Sequence, residues 1–83
     1  MRYLVYSWDS DDIKSYDDTY GDGAFDADSS KPSCFGSISQ FGRLVKETND
    51  IDEAYKINSK EFDRLGYNGM SSIWDSEEKE WFN

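Results

Sequence analysis

The chain has 83 residues, enough for one small domain, and carries 18 Asp and Glu against 9 Lys and Arg with no His, a formal net charge of -9. That balance argues against a nucleic-acid binder, because phosphate backbones attract clustered Lys and Arg. A membrane span is also not expected, because no apolar run approaches the ~20 residues that a spanning helix needs. Only 36% of the residues are hydrophobic, but 3 Trp, 6 Tyr and 5 Phe can bury enough area for a modest core.

The sequence has few of the side chains that metal and redox sites use. Most Zn, Fe and Cu sites use His and Cys, and this chain has no His and one Cys, Cys34. Nucleophilic triads lack their base for the same reason. We therefore expect no cofactor and no enzymatic activity, with Cys34 acting as a small core residue. A single Cys fits a reducing compartment, and the apolar stretch 3–6 is too short for a signal peptide, so we expect a cytoplasmic protein.

The negative charge is concentrated in one stretch. Between positions 9 and 28 there are eight Asp and one base, Lys14, which gives that stretch a net charge of -7. The eight are Asp9, Asp11, Asp12, Asp17, Asp18, Asp22, Asp26 and Asp28. Asp has a short side chain that competes with helical hydrogen bonding and favours turns. The composition therefore predicts a long acidic loop on the surface.

The first element predicted along the chain is a strand over residues 2–8, which are rich in β-branched and aromatic residues. Its alternation puts Leu4 and Tyr6 on one face and Tyr3 and Val5 on the other. Among the tryptophans, those at positions 8 and 74 are expected to be buried.

The acidic stretch begins as a predicted loop over 9–20, with at most one helical turn. A glycine turn follows at 21–23, and 24–28 is predicted as a short strand with Phe25 and Ala27 facing inward.

Residues 34–47 fit two patterns. Four apolar residues match a helical stripe, namely Ile38, Phe41, Leu44 and Val45. Gly36 and Gly42 would weaken that helix by about 1 kcal/mol each. We favour a strand or a bent hairpin here.

The clearest predicted element is a helix over 51–65. Asp50 is a capping residue with Glu53 three positions later, and Gly66 is a good stop signal. Two short helices broken near Asn58 fit the same pattern.

The C-terminal part has a turn signal at 68–69, a predicted strand over 71–74, and a last helical turn or strand over 77–82. Together these elements predict an α+β fold. It is a small single domain over 1–83, an antiparallel sheet with one main helix (about 51–65) packed on it and a long acidic loop.

Calcium binding is one function that Asp-rich loops allow. An EF-hand alignment puts Asp18, Asp22 and Gly23 at the first, fifth and sixth positions, but Ser29 stands where the closing Glu belongs. A divalent-cation site is therefore an alternative, and we favour a solvated turn with no metal.

The charge itself offers another function. In an extended chain, acids two residues apart lie ~6.6 Å apart on one face, close to the order of a phosphate repeat. Asp9 and Asp11 have this spacing, as do Asp26 and Asp28. An acidic surface of this kind could imitate a nucleic-acid strand and dock in a basic channel.

These patterns predict a small acidic inhibitor that binds a protein with a basic nucleic-acid-binding surface and binds no nucleic acid directly. The expected partner-binding residues are the eight Asp together with Tyr16 and Tyr20, both predicted to be exposed. In charge and size the chain resembles small phage-encoded inhibitors of host restriction, CRISPR or transcription machinery, many of them acidic DNA mimics. An adaptor domain that binds through exposed aromatic residues is the other alternative. We expect the protein to be either a monomer or a homodimer.

Overall fold

The structure is a computed structural model that describes residues 1–82. Four strands form one antiparallel sheet in the order β2-β1-β3-β4, with bounds β1 Tyr3–Asp9, β2 Arg43–Thr48, β3 Gly69–Asp75 and β4 Glu80–Trp81. The helices are α1 Ser10–Tyr20, α2 Ala24–Asp28, α3 Phe35–Phe41 and α4 Ile51–Leu65, with short 3-10 helices at Pro32–Cys34 and Gly66–Asn68. The predicted α+β fold, with an antiparallel sheet and one main helix packed on it, is confirmed.

The sheet lies between two helical layers, and strand β1 is central to both. Its alternation is the predicted one, because Tyr3 and Val5 pack under α4 while Trp8 faces α1, α2 and α3. The first core joins Tyr3, Val5, Ala54 and Ile73, and the second joins Trp8, Tyr16, Phe25 and Ile38. Trp8 and Trp74 are both buried, as predicted.

Helix α4 begins and ends where the sequence predicts. The Asp50 carboxylate accepts hydrogen bonds from the backbone N–H of Asp52 and Glu53, and Gly66 adopts a φ of +60° at the C-terminal end. The helix is not broken at Asn58, because that side chain is buried and accepts a hydrogen bond from the Ser71 hydroxyl at 2.5 Å. One continuous helix therefore covers this face of the sheet.

The predicted acidic loop is wrong, because residues 10–20 form helix α1. The Asp9 carboxylate accepts from the Asp12 N–H at 2.9 Å, and the Asp12 carboxylate accepts from the Asp9 N–H at 3.1 Å. This reciprocal cap satisfies two backbone donors that a helix N-terminus otherwise leaves open. The cap and the burial of Tyr16 outweigh the poor helix propensity of Asp.

The strand predicted over 24–28 is also wrong, because helix α2 forms there. It follows Gly23, whose φ of +76° is the left-handed conformation that glycine adopts without strain. Phe25 is buried as predicted, but Ala27 is exposed, since a helix turns the two side chains to different sides.

Residues 34–47 combine a helix and a strand, so the preferred strand or hairpin is only half right. Ile38 and Phe41 lie on helix α3 and contribute to the second core. Gly42 then ends the helix, and Val45 packs under α4 from strand β2. Cys34 is half-buried at the edge of the second core.

Strand β3 is longer than the strand predicted over 71–74. It begins at Gly69, which pairs with Asp9 inside the sheet, so the glycine is a strand residue and not part of a hairpin turn. The last stretch takes the strand form of the two alternatives, as β4.

Candidate partner-binding face

The acidic residues lie on helices α1 and α2 and the turn between them, which we call the acidic face (residues 9–28). Tyr16 fixes its position. This side chain is 1% exposed, and its hydroxyl donates to the Asp28 carboxylate at 2.9 Å and lies 3.2 Å from the Ser37 hydroxyl. One phenol thus links α1, α2 and α3, and burial raises its pKa.

The prediction that Tyr16 is exposed is therefore wrong, since it is an anchor of the second core. Its neighbour Tyr20 is 52% exposed, as predicted, and the two rings pack with centroids 4.6 Å apart.

Half of the eight Asp have structural roles. Asp9 and Asp12 form the cap of α1. The Asp17 carboxylate accepts from the Phe25 N–H at 2.8 Å and so binds the start of α2 to α1. Asp28 accepts from Tyr16 and lies 3.5 Å from the Lys31 ammonium. These bonds hold the acidic face in a defined shape.

The other four Asp are exposed: Asp11, Asp18, Asp22 and Asp26. Asp18 pairs with Lys14 at 2.8 Å, and this hydrogen bond raises the pKa of Lys14. Within residues 1–82, the carboxylates of Asp11, Asp22 and Asp26 form no hydrogen bond or ion pair. Lysines of the same chain therefore neutralise little of the charge on this face.

The spacing expected for a phosphate mimic is not present. Asp9 and Asp11, and likewise Asp26 and Asp28, are two positions apart on or at the start of a helix, where such residues do not face each other. Asp11 and Asp18 do share a side of α1, about 10.5 Å apart at the helical rise of ~1.5 Å per residue. The acidic face presents charge on two helices and not along a strand.

A groove of about 440 Å³ opens beside the acidic face, between α1, α2 and the start of β3. Its apolar lining comes from Ile13, Phe25 and Met70 and its polar lining from Ser10 and Asn68, and the exposed Asp26 and Tyr67 complete it. The sequence analysis missed Tyr67, whose side chain is fully exposed. Its place between Gly66 and Asn68, two turn-forming residues, was the signal available for its exposure.

The bases gather on the other side of the molecule. Five of the nine Lys and Arg lie on β2 and α4: Arg43, Lys46, Lys56, Lys60 and Arg64. Two of them, Arg43 and Arg64, bind the buried Glu61 carboxylate at 3.0 and 2.6 Å. The same two elements carry five acids, Glu47, Asp52, Glu53, Glu61 and Asp63, so their charges balance and the excess negative charge lies on the acidic face.

The calcium alternative gains no support. Among the residues that the structure describes, no group of three acidic or thiol side chains is placed to hold a metal ion. Asp18, first in the EF-hand alignment, is paired with Lys14, and Ser29, last in it, is buried.

No helix of the described chain is both long and apolar enough to cross a bilayer.

Removing the Tyr16 hydroxyl should loosen the acidic face. We expect Tyr16→Phe to lower the free energy of unfolding by about 1 kcal/mol, because it deletes two hydrogen bonds and leaves the half-buried Asp28 with one partner fewer. Urea denaturation measures this. Tyr20→Phe is the control and should be neutral, since no hydrogen bond of the Tyr20 hydroxyl is found within residues 1–82. Equal stabilities of the two variants would contradict the role given to Tyr16.

Comparison of the chain with protein-family models, curated proteins and solved structures gave no match.

Proposed function

We propose that the acidic face binds a protein with a basic nucleic-acid-binding surface and inhibits it by occupying that surface. The chain would act as a stoichiometric binder without catalysis. Phage anti-restriction and anti-CRISPR inhibitors are the kind of protein to which this function belongs.

One observation carries the proposal: the acidic stretch has a fixed shape and keeps its charge. A mobile acidic tail would lose much conformational entropy on binding, at about 1–2 kcal/mol for each ordered backbone residue. Here the cap of α1 and the bonds of Tyr16 and Asp17 order the stretch before any partner arrives. A preformed surface of net charge -7 would be steered rapidly onto a basic channel.

The helical arrangement changes what the mimicry consists of. Phosphate-like spacing along a strand no longer supports the mimicry, so the imitation rests on the charge density of two packed helices. Such a surface suits a channel lined by flexible Lys and Arg side chains, which adjust to carboxylate positions more readily than a rigid groove does.

The test begins with the immobilised chain in a bacterial lysate at low and high salt, followed by identification of the recovered protein. On that protein, DNA or RNA should compete with the chain for one site. Simultaneous binding of nucleic acid and chain would contradict the proposal.

A triple variant, Asp11→Asn, Asp18→Asn and Asp22→Asn, then tests the face. Loss of three rim charges should weaken binding by about tenfold at low salt and flatten its salt dependence. The fold should remain, because none of the three accepts a backbone N–H. Asp17 is left intact because it holds the Phe25 N–H.

The matched control removes three acids elsewhere: Glu47→Gln, Asp63→Asn and Glu78→Gln, all exposed and outside α1 and α2. It has the same net charge as the triple variant and should bind like the wild type. If both variants bind equally well, the acidic face is not the interface. Loss of binding on truncation of exposed aromatic residues would then favour the adaptor function.

A further inference from the structure

The groove beside the acidic face has the chemistry of a socket for one long cationic side chain. Its lining combines three apolar side chains, Ile13, Phe25 and Met70, with polar groups of Ser10 and Asn68, and it also includes a carboxylate, Asp26, and a phenol ring, Tyr67. A purely apolar groove would take an apolar residue, and a purely acidic surface would hold a cation only loosely. This groove combines the two properties.

The Asp26 carboxylate is available to a ligand. It is exposed and forms no hydrogen bond or ion pair with any residue of 1–82. The bases nearest in sequence are already engaged, Lys31 with Asp28 and Lys14 with Asp18. Its other neighbours on the acidic face are carboxylates, so the field at the groove favours a cation.

Tyr67 is the second available group. It is the most exposed of the large hydrophobic residues, and no ring contact of Tyr67 with another aromatic residue is found in the described chain. A large apolar ring left wholly in water contributes nothing to the folding of this domain. A guanidinium placed between such a ring and a carboxylate can stack on the ring in a cation–π contact and donate a charged hydrogen bond to the carboxylate.

We infer that this groove receives an arginine side chain of the partner protein. Its methylene stem would lie against Ile13 and Met70, and its guanidinium would bind Asp26 and stack on Tyr67. Arginine is favoured over lysine because a planar guanidinium can bond to a carboxylate and stack on a ring at once, whereas an ammonium is a strongly hydrated point charge. The inference rests on the proposed function and specifies how the partner would be held.

The experiment uses the full chain and a defined probe, the acetylated and amidated peptide Gly-Gly-Arg-Gly-Gly. Two peptides with lysine or norleucine at the centre are the matched probes. Titration is followed by NMR of the backbone amides and of the Met70 and Ile13 methyl groups. We expect the arginine peptide to shift the groove signals and to bind more tightly than the lysine peptide, with no binding of the norleucine peptide.

Variants then separate the groove from the general charge. Asp26→Asn should weaken binding of the arginine peptide by about fivefold, and Tyr67→Ala by about threefold, the scale of one exposed ion pair and one exposed cation–π contact. Asp22→Asn removes the same charge from the turn outside the groove and should change the affinity less than twofold. Asp22, Asp26 and Tyr67 are all exposed, so each variant should keep the wild-type NMR spectrum at residues away from the substitution.

Equal effects of Asp22→Asn and Asp26→Asn, or shifts spread along both acidic helices with no preference for arginine over lysine, would overturn the inference. Failure of the groove and failure of the proposed function are distinguishable. If the triple variant loses the partner but Asp26→Asn leaves peptide binding unchanged, the groove inference fails and the proposed interface stands. A groove that binds arginine in a chain whose triple variant keeps its partner supports the groove and removes the proposed interface.

Discussion

Gly69→Ala is expected to lower the free energy of unfolding by about 3 kcal/mol, which is at the severe end for a single methyl group. A Cβ at this position would overlap the backbone carbonyl oxygen of Trp8 and press on both methyl groups of Leu65. Backbone of the central strand cannot move aside as a flexible side chain can. Urea denaturation followed by the fluorescence of the buried Trp8 and Trp74 measures the loss.

Gly36→Ala is the matched control, because it makes the same chemical change in a helix where the new Cβ meets nothing within 4 Å. It should be neutral or stabilise the protein by about 0.5–1 kcal/mol, since alanine is the better helix former. A Gly69→Ala variant within 1 kcal/mol of the wild type would mean that β1 and β3 approach each other less closely at this pair than the structure describes.

Asp75→Asn is expected to cost about 2 kcal/mol at neutral pH, because a buried carboxylate loses its charge-assisted bonds. Asp75 accepts two hydrogen bonds from the Arg2 guanidinium, at 3.1 and 3.0 Å, and two from the backbone N–H of Glu77 and Glu78. These bonds join the start of β1 to the turn that follows β3. Thermal unfolding at pH 7 measures the change, and Asp63→Asn, at an exposed helix position, is the control.

The same carboxylate predicts a pH dependence. The hydrogen bond from Arg2 lowers the pKa of Asp75 below its ordinary value of 3.8. A group with a lowered folded-state pKa stabilises the fold fully above the unfolded value, and this contribution is lost as the pH falls through the folded value. The difference in stability between wild type and Asp75→Asn should therefore be full at pH 7 and shrink below about pH 3.8. A difference that is constant down to pH 2 would contradict this. Comparing the two proteins removes the general effect of protonating the other acids.

The parts of the fold that the sequence predicted are those decided by local signals. The alternation of β1 and the cap of α4 at Asp50 need only a few neighbouring residues, and both are correct. The helices α1 and α2 were missed because Asp propensity points to turns. What decides them is a reciprocal cap at Asp9 and Asp12 and the burial of Tyr16 against α2 and α3, and the second of these depends on residues up to 21 positions away.

The candidate site was predictable to a similar degree. The count of Asp correctly indicated where the charge lies, since positions 9–28 form a surface of two helices. It could not separate the four Asp with structural bonds from the four that face solvent, because that division depends on helix phase and on partners such as the Phe25 N–H. The groove could not be predicted from the sequence, because it joins α1 and α2 to Tyr67 and Met70, which are some 40 or more positions later in the chain.

The central place of β1 has a consequence for biosynthesis. Strand β1, the first of the four along the chain, pairs with β2 and with β3, whose last residue is Asp75, so the sheet cannot close until the chain has been translated as far as Asp75. Until then the edge of β1 that pairs with β3 has no partner, and such unpaired strand edges are prone to aggregate. The run of Asp that follows immediately is synthesised next, and its negative charge would repel other copies of the nascent chain. The same carboxylates that we propose for recognition would thus protect the protein while it folds.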